Sequence, residues 1–91
     1  MSITVELPEE LARYCQDEKS LELAAATISE ALDGLWKKFP ELQSRVLNQQ
    51  GQVRSHLLLL HNRRQVILAD QHTTAVVDGD VLEIIPLASG G

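Results

Sequence analysis

In "SITVEL", apolar Ile3, Val5 and Leu7 fall on one side of an extended chain and Thr4 and Glu6 on the other. A period of two marks a half-buried strand, and Pro8, which has no N–H for a ladder, ends it. "EELARYCQDEK" is polar enough for a turn and loop, with room for one helical turn. Alternation returns in "SLELA", where Leu21 and Leu23 face inward against Ser20 and Glu22. Two such runs this close together predict an antiparallel hairpin with a long connection.

The period then changes. Ile28, Ala31, Leu32, Leu35 and Phe39 recur at helical spacing on one face, with Trp36 at the border of the stripe. Thr27 and Glu30 form a capping-box pattern at the start. Lys37 and Lys38 suit the negative end of the helix dipole, and Pro40 stops the run. Leu42 and Val46, four apart, permit a short second helix, and "NQQGQ" reads as a turn.

The C-terminal half is rich in strands. "HLLLLH" and "QVIL" flank "HNRR" as two strands of a hairpin, "DQHTTA" is a polar connection, and Asp78-Gly79 is a turn signal. "VLEII" is the last strand, with Leu82 and Ile84 inward and Glu83 outward. The predicted order is β-β-α-(short helix)-β-β-β without internal repeat, a two-layer α+β domain whose mixed sheet packs on one main helix.

Leu57 to Leu60 do not alternate, so parity leaves their phase open. Either Leu58 and Leu60 or Leu57 and Leu59 share the outer face with Ile85. An outer apolar pair is either covered by a loop or the short helix, or forms a docking patch.

Composition narrows the function classes. The 91 residues make one domain, and 13 acidic against 8 basic residues give a net charge of −5. Such a balance argues against nucleic acid and anionic membrane, both of which need excess Lys and Arg, and suits a basic partner surface. Cys15 is the sole cysteine, which excludes an internal disulfide and a Cys-rich metal site. No signal peptide or membrane-length apolar run is visible, so a soluble, cytoplasmic protein is expected.

Catalytic chemistry is hard to find in the sequence. His56, His61 and His72 lack metal-ligand spacing and read as surface or rim residues. Cys15 sits in a polar stretch without a nearby base and reads as inert. Gly34 lies within the helix and Gly51 and Gly79 in turns, so they form no phosphate loop. Arg54, Arg63 and Arg64 could gather at one end of the sheet as a solvated or partner-contacting rim.

The distinctive segment is the last one, "VVDGDVLEIIPLASGG". An Asp-Gly-Asp turn (Asp78-Gly79-Asp80), an apolar strand, Pro86, small residues Ala88-Ser89 and Gly90-Gly91 together resemble the ubiquitin-like sulfur carriers of the MoaD and ThiS family. His61-Asn62 occupies the place of that family's usual Val-Asn, and Leu87 stands where molybdopterin-synthase small subunits often carry a second proline. In these respects, and in the long 40s loop, the chain also resembles carriers serving cysteine biosynthesis; it is longer than typical thiamin carriers.

The resemblance implies a ubiquitin-like β-grasp domain over residues 1–86 and an extended, flexible tail over 87–91. It implies a carrier that is not itself an enzyme. A partner adenylating enzyme using ATP and magnesium would activate the Gly91 carboxylate, and sulfur delivery would convert it to a thiocarboxylate for a sulfur-accepting synthase. The carrier itself would bind no cofactor, and would be a monomer or part of a heteromeric complex. Glycine suits a narrow channel because it lacks Cβ and tolerates any imposed backbone angle. Residues 87–91 would reach about 17 Å when extended, at ~3.4 Å per residue, with Pro86 stiffening the root. Leu87, Ala88, Ser89 and Gly90 would thread a partner's active site. Leu58, Leu60 and Ile85 would dock it, with Arg63 and Arg64 at the rim. The same tail would serve a modifier joined to lysines through Gly91, and a plain interaction module would not use it.

Overall fold

The structure, a computed structural model, describes residues 1–87. Strand β1 (Ser2–Glu6) leads through helix α1 (Glu9–Ala12) and a 3₁₀ turn (Arg13–Cys15) into β2 (Ser20–Ala24). Helices α2 (Ile28–Lys38) and α3 (Pro40–Val46) come next, then β3 (Leu57–His61), β4 (Arg64–Gln65), α4 (Leu68–Gln71) and β5 (Val81–Pro86). The strands form a mixed sheet in the order β2-β1-β5-β3-β4, with β1 and β5 parallel and the other neighbours antiparallel.

The first two alternating runs form the expected hairpin, with Ile3 opposite Leu23 and Val5 opposite Leu21. Leu21 is buried, whereas Leu23, nearer the sheet's end, is half-buried and packs on the edge of the core. The connection carries more structure than its polarity suggests. Leu11, Ala12 and Cys15 all point into the interior. Cys15 is fully buried rather than held in a polar loop, and burial, with Glu18 adding to it, pushes its thiol pKa up, away from the reactive thiolate.

α2 has its cap as predicted. Thr27 Oγ1 accepts from the Glu30 N–H at 3.1 Å, while the Glu30 carboxylate reaches one residue further back, to the Ala26 N–H at 3.2 Å. Ile28, Ala31, Leu32, Leu35 and Trp36 are buried on the face that meets the sheet. Phe39 closes the helix with its N–H on the Leu35 carbonyl, and Pro40 opens α3, where its missing N–H is not needed. Leu42 and Val46 pin α3 to the core.

β3 resolves the four-leucine run. Leu57 and Leu59 are 4% and 2% exposed and join the core, while Leu58 and Leu60 are half-buried on the opposite side. The predicted strand "QVIL" contracts to Arg64–Gln65. Val66 still donates its N–H to the Leu59 carbonyl and is buried, but Ile67 is exposed and Leu68 begins a helical turn. α4 thus occupies the start of the expected polar connection.

Asp78-Gly79 turns the chain into β5 beside the start of β1. Ser2 donates its N–H to Asp78 Oδ1 at 2.7 Å, and Gly79, at φ +87°, donates to the Ser2 carbonyl at 3.0 Å. β5 then runs between β1 and β3, with Leu82 and Ile84 fully buried against α2's layer.

Candidate functional site

Two features of β5 define the site: what its outward side chains share, and how it ends. Side chains alternate along a strand, so residues paired across strands share a face. Leu58 pairs with Ile85, Leu60 with Glu83 on one side and Gln65 on the other, and Glu83 with Glu6 of β1. Next to them lies the row of Glu22, Thr4 and Val81. The outer face, opposite α2, is therefore divided. Apolar residues lie over β3 and the far end of β5, and glutamates over β1, β2 and the middle of β5.

The register settles the phase that the sequence leaves open: Leu58, Leu60 and Ile85 share the outer face, and each is half-buried. The three arginines do not gather at one end of the sheet. Arg64 pairs with His61, the register position on the α2 side rather than the outer side, and both Arg63 and Arg64 are exposed at the hairpin turn. Arg54 lies before β3, at the opposite end from that turn, where its guanidinium donates to the Ser44 carbonyl at 2.8 and 3.0 Å and closes α3. Its side chain is spent on the fold.

A groove of about 330 Å³ opens beside this face. Leu58, Val66, Ile67, Leu68 and Leu87 contribute to its walls. Ile67 and Leu87, 51% and 44% exposed, are the apolar part of its rim, and Gln52, Arg54, Ser55 and Gln65 also line it. Neither residue announces this role in the sequence, where Ile67 has the pattern of a strand residue and Leu87 belongs to the tail.

The tail root is fixed by the sheet. Leu87 donates its N–H to the His56 carbonyl at 2.8 Å, one residue beyond the last strand residue, Pro86. Pro86 is tolerated because it pairs with Leu57 between the bonded positions of the β3 ladder, and β1 has already ended at the level of Glu83. Ala88, Ser89, Gly90 and Gly91 lie outside the described residues.

At the other end of β5 is the most polar cluster of the interior. Asp80, 9% exposed, accepts from Asn62 Nδ2 at 3.0 Å, His61 Nε2 at 2.9 Å and the Val77 N–H at 3.0 Å. Hydrogen bonds from Asn62, then His61, then the Val77 backbone stabilise the carboxylate and lower its pKa to about 2. Asn62 also receives the Val81 N–H at its Oδ1, at 2.9 Å. His61 is thus a structural partner of Asp80 rather than a simple rim residue. Among the described residues no group of three His, Cys, Asp or Glu side chains is arranged to hold a metal ion, and no helix is long and apolar enough to cross a membrane.

Comparison with known proteins places this geometry. The chain is 36% identical over 66 residues to small archaeal modifier protein 1 of Haloferax volcanii, covering 72% of this chain and 71% of that one. Small archaeal modifier protein 3 of the same organism is 33% identical over the same shares. The crystal structure of the first superposes over 100% of both chains with a TM-score of 0.80, at 29% identity. CysO in the BexX/CysO complex of Amycolatopsis orientalis gives 0.80 at 25% identity, over 98% of this chain and 99% of that one. The shared architecture is the ubiquitin-like β-grasp, and these relatives are small carrier or modifier proteins rather than catalysts. The model of the ThiS family runs from residue 5 to residue 91, through the last strand and the closing Gly-Gly alike. Fold, relatives and family model agree, and this chain belongs to the ThiS family.

Proposed function

We propose that the protein is a sulfur carrier whose reacting group is the α-carboxylate of Gly91, free at the C-terminus in the active form. A partner enzyme joins that carboxylate to AMP from Mg-ATP, with pyrophosphate leaving. A sulfur nucleophile then displaces AMP, and the resulting thiocarboxylate delivers sulfur to a synthase of cofactor or amino-acid biosynthesis, molybdopterin and cysteine being the two pathways the sequence resembles most. ATP and magnesium belong to the partner, and the cytoplasm is the compartment proposed.

The observation that carries this reading is the family match extending through Gly90-Gly91, directly beyond a strand bonded to the sheet as far as Leu87. The sheet anchors the chain firmly up to four residues from the reacting atom. Beyond it, two residues without Cβ can follow a channel too narrow for side chains. A folded domain with a bonded root and a thin end is what delivery into another protein's pocket requires.

Deleting Gly90-Gly91 is expected to abolish loading by the adenylating partner while leaving the thermal melt unchanged. Gly91→Ala is expected to slow loading, because its methyl must enter the same channel. Normal loading of the deletion variant in a reconstituted reaction contradicts the proposal.

A second reading is favoured by the relatives named as modifiers. There the activated Gly91 is transferred to a lysine amine of a target protein instead of receiving sulfur. Both readings share the activation step and differ in the acceptor. Conjugates that survive a denaturing gel support the modifier; a sulfur-containing small-molecule product supports the carrier.

A further inference from the structure

The β3–β4 turn carries a residue that the fold does not ask for. Its two central residues, Asn62 and Arg63, sit at φ 49° and 72° between the paired His61 and Arg64. A two-residue turn of this hand favours Asn followed by Gly, because both positions need positive φ. Asn62 fits that pattern, but at Arg63 a long side chain stands where glycine would be free of strain. Such an outlier persists only where its surroundings over-determine it. Here they do: Asn62 Nδ2 and His61 Nε2 both bond Asp80, and the Asn62 N–H donates to the Val81 carbonyl at 2.9 Å. Charge points to the same place. The chain has 13 acidic residues, yet none lies between Glu41 and Asp70, a stretch that holds Arg45, Arg54, Arg63 and Arg64. Arg45 stacks on the Tyr14 ring, 4.7 Å from its centre, and Arg54 is bonded to the Ser44 carbonyl. Arg63 and Arg64 are exposed, and among the described residues neither guanidinium makes an ion pair or a hydrogen bond.

We propose that this turn is a docking point for an acidic segment of another protein, with Arg63 and Arg64 each gripping a carboxylate. Arginine's planar fork holds a carboxylate through two parallel N–H donors. The clamp beneath the turn displays both forks in advance, so less conformational freedom is lost on binding. A long polyanion such as nucleic acid fits badly, because these two arginines stand on a chain of net charge −5. The turn meets β5 at Val81, about 20 Å along that strand from Leu87 at ~3.4 Å per residue. It is therefore a second contact, at the opposite end of the sheet from the tail. It stands whether the activated Gly91 receives sulfur or a lysine.

The test titrates the full chain with a capped oligoglutamate peptide and follows the backbone amide shifts. Saturable shifts centred on His61 to Gln65 are expected. Arg63→Gly is expected to melt at or above the temperature of the unaltered chain, since glycine relieves the positive φ. The same variant is expected to bind the peptide about fivefold or more weakly, and Arg64→Gln to a similar degree. Asp80→Asn separates display from bulk charge. It makes the protein less acidic, so charge alone would tighten binding. Loosening the clamp is instead expected to weaken binding about threefold, in a variant whose amide spectrum shows it folded. Shifts centred on Lys37 and Lys38, no binding at all, or full affinity in Arg63→Gly would overturn the proposal. So would tighter binding by folded Asp80→Asn. A phosphorylated peptide that binds the turn when oligoglutamate does not would assign the site to phosphate, and would overturn it too.

Discussion

Asp80 places three hydrogen bonds on two carboxylate oxygens, and their donors come from the β3–β4 turn and the approach to β5. They hold together two segments that share no helix. Asn62 and Arg63 both have positive φ, 49° and 72°, as a two-residue hairpin turn of matching twist requires. Asn tolerates that conformation, and its side chain bonds both Asp80 and the Val81 N–H. Replacing Asp80 by Asn turns an acceptor oxygen into a donor facing existing donors, so Asp80→Asn is expected to lower the melting temperature at neutral pH. The sign of the pH effect is set by the depressed pKa, about 2 against 3.8 for an unperturbed group. The stabilisation is fully present above the unfolded value and is lost as pH falls through the folded one. Urea unfolding between about pH 5 and pH 2 should therefore show a shallower acid loss in Asp80→Asn than in the unaltered chain; parallel acid limbs would contradict this. The parts of this cluster are legible in the sequence as a turn signal and a hairpin dipeptide. Their meeting is not, because residues 18 and 19 positions apart are joined by the sheet and by no periodicity. Thr27, by contrast, announces its role locally, and Thr27→Ala is expected to cost about 1 kcal/mol in chemical denaturation.

Elements are legible where one face of each is buried. β1, β2, α2 and β5 each carry a single apolar stripe, and burial tracks that stripe except at Leu23, where the sheet edge gives less cover. β3 withholds its phase because both sides are leucine, and register against β5 decides it. The energetic contrast is testable. Leu59→Ala should cost about 2–5 kcal/mol by opening a cavity in the core, whereas Leu60→Ala on the half-exposed face should cost about 1 kcal/mol or less. Equal losses in urea titrations of the two variants would mean the phase is wrong. β4 is shorter than expected because "QVIL" has the composition of a strand without a neighbour to pair all of it. The chain leaves the sheet after Val66, and Ile67 becomes part of a groove wall instead of a strand. Cys15 and its neighbours are masked by the charged residues around them, although Leu11, Ala12 and Cys15 recur at nearly helical spacing.

Taken as a molecule, the protein is a buried helix–sheet core that leaves one sheet face half-open and whose last strand is bonded to the sheet as far as Leu87. The core explains the fold's independence from a disulfide, since Cys15 is a free buried thiol. The outer face combines the half-buried Leu58, Leu60 and Ile85 with Glu6, Glu22 and Glu83. A net charge of −5 would speed encounter with a basic partner more than it would strengthen the final contact. The Gly-Gly pair stands out in the sequence through its resemblance to the family's closing pattern. The direction in which the sheet carries the chain as far as Leu87 emerges only once β5 is seen to lie beside both β1 and β3. The most direct measurement is the intact mass, with fragmentation, of the folded protein after incubation with its ATP-using partner and a sulfur donor. The account predicts that Gly91 carries one sulfur in place of one oxygen. A folded chain with a free Gly91 that is never adenylated or sulfurised by that partner would contradict it.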